Sequence, residues 1–541
     1  MSRVTLAVVG ALLLALALSG PAPWAGDAAL VGRHFDLHGT IWFLSAAPRI
    51  DGALVDPLTA WPEGASLRRA DSWTLLALGR LFAGLSPVLL HNLLQPLAVA
   101  SGALVMWALA RAEGVSARWS SLAALTWAGA GLTSTALLEG HVYQLLNLSL
   151  PLLAWSWRRA TAPEGRAAHG LAAGLCFAFA LATSAYTGVA AAILTLTILV
   201  YAAATGRLRL APLGAAAAVA LPAGLLYLRV FADGRAVDGL RFVSRGFESR
   251  AAMLQAGSAD LVTLAAPGPA LDLWGHSQSS FLSPTALILA LVAPFALGGA
   301  RAWGPWLTLV VVGLLVSMGP SVSDGDRALL PLPMSFITDL PAAELLRFPA
   351  RLGWVTLIGL GVLAAKVGEA LEARVGRRAW PLFAFALIDC VVLGGMPWRQ
   401  RSETAQAPSA YAGEGAIFDL YPESPDPTDE WNQRLSAYAC FYQARHGRPI
   451  ADDCVAPSWS QNPRSAKQAA LTEALLADGD ATALLRGWRF EAVALHPDLF
   501  TPGDRARLQS ALHRIDPTPS ESVDGGEHLL VFTLPTLHQT P

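Results

Sequence analysis

The chain has 541 residues, of which 54% are hydrophobic and 14% charged, and its formal net charge is −2. This near-neutral balance offers no basic stripe, so we expect no nucleic-acid partner. A mean hydropathy of +0.44 instead indicates a protein built largely from membrane-spanning segments.

Apolar runs long enough to cross a bilayer core of about 30 Å recur through residues 1–397. We predict an all-α polytopic membrane domain there, with about eleven spans whose ends are approximate. The spans are expected at Met1–Gly20, Val88–Ala110, Trp119–Leu138, Val142–Trp157, Gly170–Ser184, Gly188–Ala204, Ala211–Phe231, Pro284–Gly299, Pro305–Gly319, Leu352–Leu371 and Trp380–Pro397. The first run also resembles a signal peptide, but we prefer an uncleaved span.

Arginine marks alternate connections between these spans. With the N-terminus in the cytoplasm, every short inside connection carries Arg, which is the positive-inside pattern. The inside residues are Arg3, Arg111, Arg118, Arg158, Arg159, Arg166, Arg207, Arg209, Arg301, Arg374, Arg377 and Arg378. We therefore predict a bacterial inner (plasma) membrane protein whose long loops, 21–86, 232–283 and 320–350, and whose C-terminal region are extracytoplasmic. Connections this long are usually functional.

Residues 398–541 are polar and are predicted to form a small extracytoplasmic α/β domain. GAIFDLY, FEAVALH and HLLVFTL are typical of strands, whereas KQAALTEALLADGDATALLRGW and PGDRARLQSALHRI have apolar residues at helical spacing. Cys440 and Cys454 lie in this region without a nearby histidine pair, which is a poor zinc pattern. A disulfide between them is our interpretation, because oxidising compartments preserve such bonds.

The first outside loop concentrates acidic residues. Asp36 follows the first span and precedes LHGTIWFLSAAPRI, a segment whose apolar face could lie along the membrane with Trp42 among the lipid headgroups. A carboxylate at that boundary could remove a proton from an acceptor hydroxyl, although Asp36 could equally cap the following helix. Asp71, before SWTLLALGRLFAGLS, is open to the same two interpretations, as an acceptor contact or as a cap.

The segment LLEGHVYQLLN lies at the outside junction of the third and fourth predicted spans. Glu139 and His141 could bind a phosphate or ligate a divalent metal ion, and ionisable residues at the end of an apolar hairpin are functional candidates. His141 and Gln144 are three residues apart and share roughly one helix face. A purely structural polar seam between helices is the alternative.

Two further places carry candidate residues. Arg347 and Arg351, in LLRFPARL at the outside mouth of the tenth predicted span, present guanidinium forks suited to phosphate, unless they simply extend to lipid headgroups. Asp260 and Trp274, in the second long outside loop, could contact an acceptor, or that loop could be only a packed lid.

The order of these blocks resembles a known family. An acidic loop after the first span, WPEGASL, and a span beginning HNLLQPLAVASG are similar to bacterial GT-C-fold membrane glycosyltransferases. EGHVYQLLNLSLPLLAWSW resembles their Gly-His hairpin, and SADLVTLAAPGP, LLRFPARLGW, HGRPI and LLRGWRFEAVALHP resemble later blocks of such proteins.

The resemblance implies a GT-C-like membrane domain over residues 1–397 and transfer of a sugar from a polyprenyl-phosphate carrier to a glycan, lipid or protein acceptor. Asp36 matches the first-loop base of the family. Because HFDLHG offers one acidic residue where many members have a pair, metal dependence stays open. The alternative from another class is a non-catalytic protein that binds or transports lipid-linked glycans, which would require charges near mid-membrane, with Lys366 and Asp389 as the candidates.

Overall fold

The computed structural model of this chain describes most of its length, in segments with gaps between them. The described segments are 3–32, 36–50, 54–67, 70, 72–238, 249–266, 280–324, 327–339, 346, 348–395, 402–422, 430–454, 463–477, 480–524 and 527–535.

The part before residue 396 is built mainly from helices. Among its described residues, the strands form two short hairpins, β2 (Val55–Asp56) with β3 (Ala65–Ser66) and β4 (Ser321–Asp324) with β5 (Arg327–Pro331), and one strand, β1 (Ala29–Val31), that pairs with the C-terminal region. The helices are α1 (Arg3–Leu18), α2 (Asp36–Ala46), α3 (Trp73–Leu81), α4 (Pro87–Ala112), α5 (Ala117–Ala128), α6 (Gly131–Glu139), α7 (Val142–Leu145), α8 (Ser149–Ala160), α9 (Ala167–Thr183), α10 (Ala185–Ala204), α11 (Leu210–Asp238), α12 (Arg250–Ala256), α13 (Leu261–Ala265), α14 (Pro284–Ala296), α15 (Ala300–Ser317), α16 (Trp354–Val375) and α17 (Trp380–Leu387), which continues as a π-helix over Ile388–Gly395.

Every apolar segment that was predicted to span the membrane contains helix in the structure. By length and composition, five helical stretches among the described residues can cross a bilayer, or six if the bent pair α5–α6 is one span. Helices α1, α9 and α14 are apolar but shorter. The protein is therefore a polytopic membrane protein with a largely helical membrane domain, and the number eleven stays a prediction.

Two of the predicted spans are not continuous. Helices α5 and α6 meet at a 48° bend, where the π-helix packs so closely that a Cβ on Gly129 would lie 2.4 Å from Cys390. The next span is broken into the short α7 and α8, with Leu146–Leu148 between them. Irregular backbone at membrane depth is tolerated where it is enclosed by protein or lines a cavity, so these breaks mark the place where a site can form.

The arginine-bearing connections meet at one end of the helices. Arg158, at the end of α8, and Lys366, in the second half of α16, both pair with Glu113, which follows α4. Arg118, at the start of α5, pairs with Glu372 of α16. This common end agrees with the predicted positive-inside pattern, while the assignment of that end to the cytoplasm stays a prediction.

The C-terminal region forms a four-stranded mixed sheet with helices. The elements are β7 (Ile417–Leu420), α18 (Glu430–His446), α19 (Pro463–Leu476), α20 (Ala481–Gly487), β8 (Ala492–Leu495), α21 (Pro502–His513), β9 (Ser520–Asp524) and β10 (Glu527–Thr533). The strand order is β7-β8-β10-β9, in which β7 pairs with β8 in parallel, with Ile417 opposite Ala492, and the other pairs are antiparallel.

The three predicted strands are confirmed as β7, β8 and β10, and the polar edge strand β9 was not predicted. The long predicted helix is two helices, because Asp480 accepts from the backbone N–H of Ala483 and starts α20. The structure also joins Cys440 and Cys454 in a disulfide, with the two Cα atoms 5.6 Å apart.

The loop over residues 21–86 packs against this C-terminal region as part of one hydrophobic core. Strand β1 (Ala29–Val31) pairs antiparallel with β6 (Ser402–Thr404). The predicted position of Trp42 among lipid headgroups is wrong, because its side chain is fully buried in this shared core with Tyr411 and Phe441. In contrast, Leu81, at the end of α3, is 73% exposed.

Candidate active site

Asp36 is positioned by a close approach between α2 and the turn that joins α6 to α7. Gly140 adopts a left-handed backbone conformation there, with φ 75°, which glycine adopts at little cost. A Cβ on Gly140 would lie 2.9 Å from the Cβ of Leu37, the buried residue next to Asp36. The glycine therefore lets the first turn of α2 rest against the turn that carries His141.

Asp36, His141 and Glu139 form a chain of contacts across this junction. His141 Nε2 lies 3.2 Å from Asp36 Oδ2, and His141 Nδ1 lies 2.9 Å from Glu139 Oε2. The side chains of His141 and Glu139 are only 1% and 5% exposed, whereas that of Asp36 is 40% exposed. Asp36 is thus the member of the three that an incoming molecule can reach.

The two carboxylates decide the protonation of the ring between them. Burial by itself lowers the pKa of His141, but the charges of Glu139 and Asp36 and their hydrogen bonds outweigh it and raise that pKa. His141 is accordingly favoured as an imidazolium that orients Asp36 from behind, while Glu139 offsets its positive charge.

Gln144 lies between the histidine and an arginine from a distant part of the chain. We assign its amide with the oxygen toward Arg351. In the opposite orientation, the NH2 group of Gln144 would face the N–H donors of Arg351 and His141. In the assigned orientation the oxygen accepts from Arg351 Nη2 at 3.1 Å and Nε at 3.2 Å, and it lies 2.9 Å from His141 Nδ1. The helix-face spacing of His141 and Gln144 thus brings both side chains to one site.

Arg351 belongs to a short 3₁₀ turn, Pro349–Gly353, just before α16. Its guanidinium carbon lies 4.5 Å from the ring centre of Phe348 and 5.0 Å from that of Tyr186, at the start of α10. Such cation–π contacts hold a guanidinium in place without neutralising its charge. Among the residues that the structure describes, Arg351 has no carboxylate in ion-pair contact, so its charge can serve an anionic ligand.

The structure thus brings together Asp36, Glu139, His141, Gln144 and Arg351, which come from three separate places in the sequence. Asp71, Trp274 and Arg347 lie outside the described residues. Asp260 is the N-cap of α13, where its carboxylate accepts from the backbone N–H of Thr263 at 2.6 Å.

Sequence reasoning missed Tyr186 and Phe348, although Phe348 stands between the two arginines it had singled out. It also missed a buried cluster in the C-terminal region. There Tyr411 donates a hydrogen bond to Asp419, His496 Nε2 lies 3.5 Å from the same carboxylate, and His446 stacks on Tyr411 with ring centres 4.6 Å apart.

The trio does not fit a shared metal ion. The two carboxylates lie at opposite nitrogens of the His141 ring, so ring and carboxylates diverge instead of converging on one point. In the described part of the chain, no group of three or more His, Cys, Asp or Glu side chains is arranged to hold a metal ion. We therefore derive no step through a metal from Glu139 and His141.

No protein-family model matches the sequence, and no curated protein matches it either. Solved structures do match its fold. The Archaeoglobus fulgidus oligosaccharyltransferase in complex with Zn and sulfate is 11% identical, with a TM-score of 0.52 over 94% of this chain and 69% of that one. Its apo form gives 12% identity and a TM-score of 0.51, over 93% and 71% of the two chains.

The arabinofuranosyltransferase AftD from Mycobacteria is 14% identical, with a TM-score of 0.52. The match covers 99% of this chain but only 42% of the mycobacterial one. These proteins are GT-C-fold membrane glycosyltransferases, and at such low identity the likeness concerns the fold. The GT-C fold implied by the sequence motifs is confirmed.

Proposed function

We propose that this protein is a membrane glycosyltransferase that moves a sugar from a polyprenyl-phosphate donor to an acceptor on the extracytoplasmic side of a bacterial inner membrane. The observation that carries the proposal is the convergence of Asp36, His141 and Glu139 beside Arg351 on a GT-C fold. This arrangement sets an exposed carboxylate next to a cation that has no carboxylate partner in the described structure.

In the proposed reaction, the acceptor hydroxyl oxygen attacks the anomeric carbon of the donor sugar from the side opposite the phosphate. The bond from that carbon to the phosphate oxygen breaks, so the configuration is inverted and polyprenyl phosphate leaves. Asp36 takes the proton of the attacking hydroxyl. Such general-base assistance is typically worth about 10²–10⁴-fold in rate.

The roles of the other residues follow from their positions. His141 orients Asp36, and Glu139 behind it keeps the imidazolium from suppressing the basicity of Asp36. Arg351 binds the donor phosphate and stabilises the charge that the leaving phosphate gains, and Gln144 holds that guanidinium toward His141. Arg347 remains a candidate second phosphate ligand, and Asp71, Asp260 and Trp274 remain candidate acceptor contacts.

The alternative, a non-catalytic protein that binds or transports lipid-linked glycans, is less well supported. Its candidate mid-membrane charges have structural partners: Lys366 lies 3.1 Å from Glu113. Asp389 accepts from the backbone N–H of Thr285 and the hydroxyl of Ser283, where α14 starts. Because both charges are held by partners within the fold, they are poorly placed to interact with a substrate that moves across the membrane.

The test is transfer from polyprenyl-phosphate sugars by the full-length protein in membranes, comparing the wild type with Asp36→Asn. Glu63→Gln is the matched control, because Glu63 lies in the same loop with its side chain 64% exposed, in a surface pair with Lys467. We expect the Asp36 variant to lose transfer and the Glu63 variant to retain it. Equal transfer by all three proteins would remove Asp36 as the base, and no transfer with any donor would favour the binding protein.

A further inference from the structure

One extracytoplasmic segment exposes more apolar surface than a water-facing element should. It is a hairpin of β4 (Ser321–Asp324) and β5 (Arg327–Pro331), followed by a 3₁₀ turn at Pro333–Ile337, and we name these residues the outer hairpin. Leu329, Leu330, Phe336 and Ile337 are 48%, 59%, 88% and 37% exposed. All five residues of β5 are exposed, so both faces of that strand are open to the surroundings.

The C-terminal region provides an internal comparison. Across the C-terminal residues whose burial the structure describes, 402, 404–422, 434–454, 464–477, 480–524 and 528–535, one large apolar side chain is exposed, Val523. The outer hairpin exposes four within eleven positions, 327–337. In this respect it resembles the lipid-facing surfaces of the membrane helices, such as that of α15, where Val311 is 48% exposed.

The base of the hairpin is fixed at the end of a membrane helix. Helix α15 ends at Ser317, and the backbone N–H of Leu332 donates to the carbonyl of Pro320 and closes the base of the hairpin. The side-chain oxygen of Gln255 accepts from the backbone N–H of Ser321 at 3.1 Å, while its amide nitrogen donates to Ser323 Oγ at 2.9 Å. The hairpin therefore begins where the chain leaves the hydrocarbon core.

Polarity changes along the hairpin from base to tip. Val322 pairs with Leu330 near the base, whereas Asp324 pairs with Arg327 at the tip, and Leu329 is the extra residue of a bulge between these pairs. At about 3.4 Å per strand residue, the charged pair lies roughly 7 Å beyond the apolar pair. This is similar to the depth of one headgroup layer, about 5–8 Å. The gradient matches a ribbon whose base stands among lipids and whose tip reaches water.

We propose that the outer hairpin is a membrane-inserting surface, with the apolar base formed by Leu329, Leu330, Phe336 and Ile337 embedded in the outer leaflet of the bilayer. Continuity with the lipid-facing surface of α15, exposure on both strand faces and the polarity gradient all favour lipid over a protein partner. The exposed residues of β5 lie on both faces of the ribbon, which favours surrounding lipid over a protein docked on one face.

The experiment places an environment-sensitive fluorophore at single cysteines of the full-length protein in vesicles. The background carries Cys176→Ala and Cys390→Ala, which remove the two free cysteines, and keeps the Cys440–Cys454 disulfide. Leu330→Cys and Phe336→Cys report on the base and Asp324→Cys on the tip. Val523→Cys is the control for an exposed apolar position on the C-terminal domain.

We expect labels at positions 330 and 336 to lose fluorescence in vesicles of brominated phosphatidylcholine and to be protected from aqueous iodide. Labels at positions 324 and 523 should be quenched by iodide and not by the brominated lipid. Iodide quenching at the base equal to that at 523 would overturn the proposal. So would protection from both quenchers, which would mean that protein covers the base, and so would equal lipid quenching at tip and base.

Leu329→Cys supplies a further base position if either variant fails to incorporate into vesicles. Because the measurement reports depth in the bilayer, its outcome does not depend on whether the protein transfers sugar.

Discussion

The two ends of the membrane helices carry polar clusters of opposite design. At the arginine-bearing end, Glu113 accepts from Arg158 Nε at 3.2 Å, from Trp306 Nε1 at 3.2 Å, and lies 3.1 Å from Lys366 Nζ. At the other end, Asp36 and Glu139 share one histidine while the nearby Arg351 contacts only aromatic rings and an amide among the described residues.

The difference separates a structural cluster from a site. Glu113 joins the end of α4 to α8, α15 and α16, and the side chains of its three charged members are only 12–19% exposed. Every charge there has a partner, so nothing is left for a ligand. In the outer cluster, Asp36 is exposed and Arg351 makes no direct ion pair among the described residues, although Glu139 and Asp36 interact with its charge at longer range. A base and an anion-binding group are therefore both available to a substrate.

The largest expected effect is on stability, from Glu113→Ala. The substitution leaves Arg158 and Lys366 as neighbouring, mostly buried positive charges, and breaking such a cluster typically costs about 4 kcal/mol. Thermal unfolding of the protein in nanodiscs should show a large drop in the midpoint. The control is Glu164→Ala, an exposed glutamate in the connection after α8, and equal midpoints for the two variants would contradict the structural role of Glu113.

The next effect is expected from the disulfide that supports the C-terminal side of the site. Replacing Cys440 and Cys454 by serine frees a loop with a sequence separation of 14 residues, which corresponds to about 3 kcal/mol in the chain-entropy model. Cys440 lies on α18, beside Tyr438, whose ring centre is 4.3 Å from that of His38 in α2. The double variant should therefore lower both the unfolding midpoint and the transfer rate.

If the double variant loses stability but transfers sugar at the wild-type rate, α2 does not depend on α18 for its position. The ring contact can be tested alone with Tyr438→Ala, for which the disulfide remains intact.

Arg351→Ala is expected to lower activity, whereas Glu113→Ala is expected to lower stability. The former removes the proposed phosphate ligand, which should lower kcat/KM about 100-fold, or about 2.7 kcal/mol, with little change in the unfolding midpoint. Arg351→Lys keeps the charge but loses the planar guanidinium fork, so its kcat/KM should lie between that of the wild type and that of Arg351→Ala. The control is Arg445→Ala, at a partly exposed arginine paired with Asp27; an equal loss of activity there would contradict a specific role for Arg351.

These contrasts show which parts of the molecule can be predicted from sequence. Long apolar runs and the arginines between them are local signals, so the helices and their common arginine-bearing end could be predicted. The spacing of His141 and Gln144 likewise indicated a shared face. The short, largely apolar segments GAIFDLY, FEAVALH and HLLVFTL indicated β7, β8 and β10, but the polar edge strand β9 has no such signal.

What the sequence could not show depends on contacts between distant segments. Trp42 looks like an interfacial anchor because its neighbours are amphipathic, and only the C-terminal region that packs on α2 makes it a core residue. The break between α5 and α6 depends on the close approach of the π-helix to Gly129. Similarly, nothing in RFPAR indicates that Arg351 meets Gln144, because that contact joins residues more than 200 positions apart.

The smallest predicted effect distinguishes two buried histidines by the sign of their pH dependence. Burial lowers the pKa of His446 to about 4. The negative charge of Asp419 opposes this lowering, and the positive charge of Arg448 adds to it. The folded pKa of His446 lies below the unfolded value of about 6.5, so the stability that this histidine contributes is present above pH 6.5 and is lost as the pH falls toward 4. For His141 the pKa is raised, so its contribution is present below pH 6.5 and is lost as the pH rises.

The measurement is the unfolding free energy of the wild type and of His446→Asn at pH 7.5 and pH 5.5. Asparagine keeps an acceptor for the backbone N–H of Arg448, which donates to His446 Nδ1 at 3.0 Å. At pH 5.5 the wild type should lose about 1.4 kcal/mol more than the variant, one pH unit below the unfolded pKa. His141→Gln should change the slope in the opposite direction. Parallel pH profiles for the wild type and His446→Asn would mean that the fold does not hold His446 neutral.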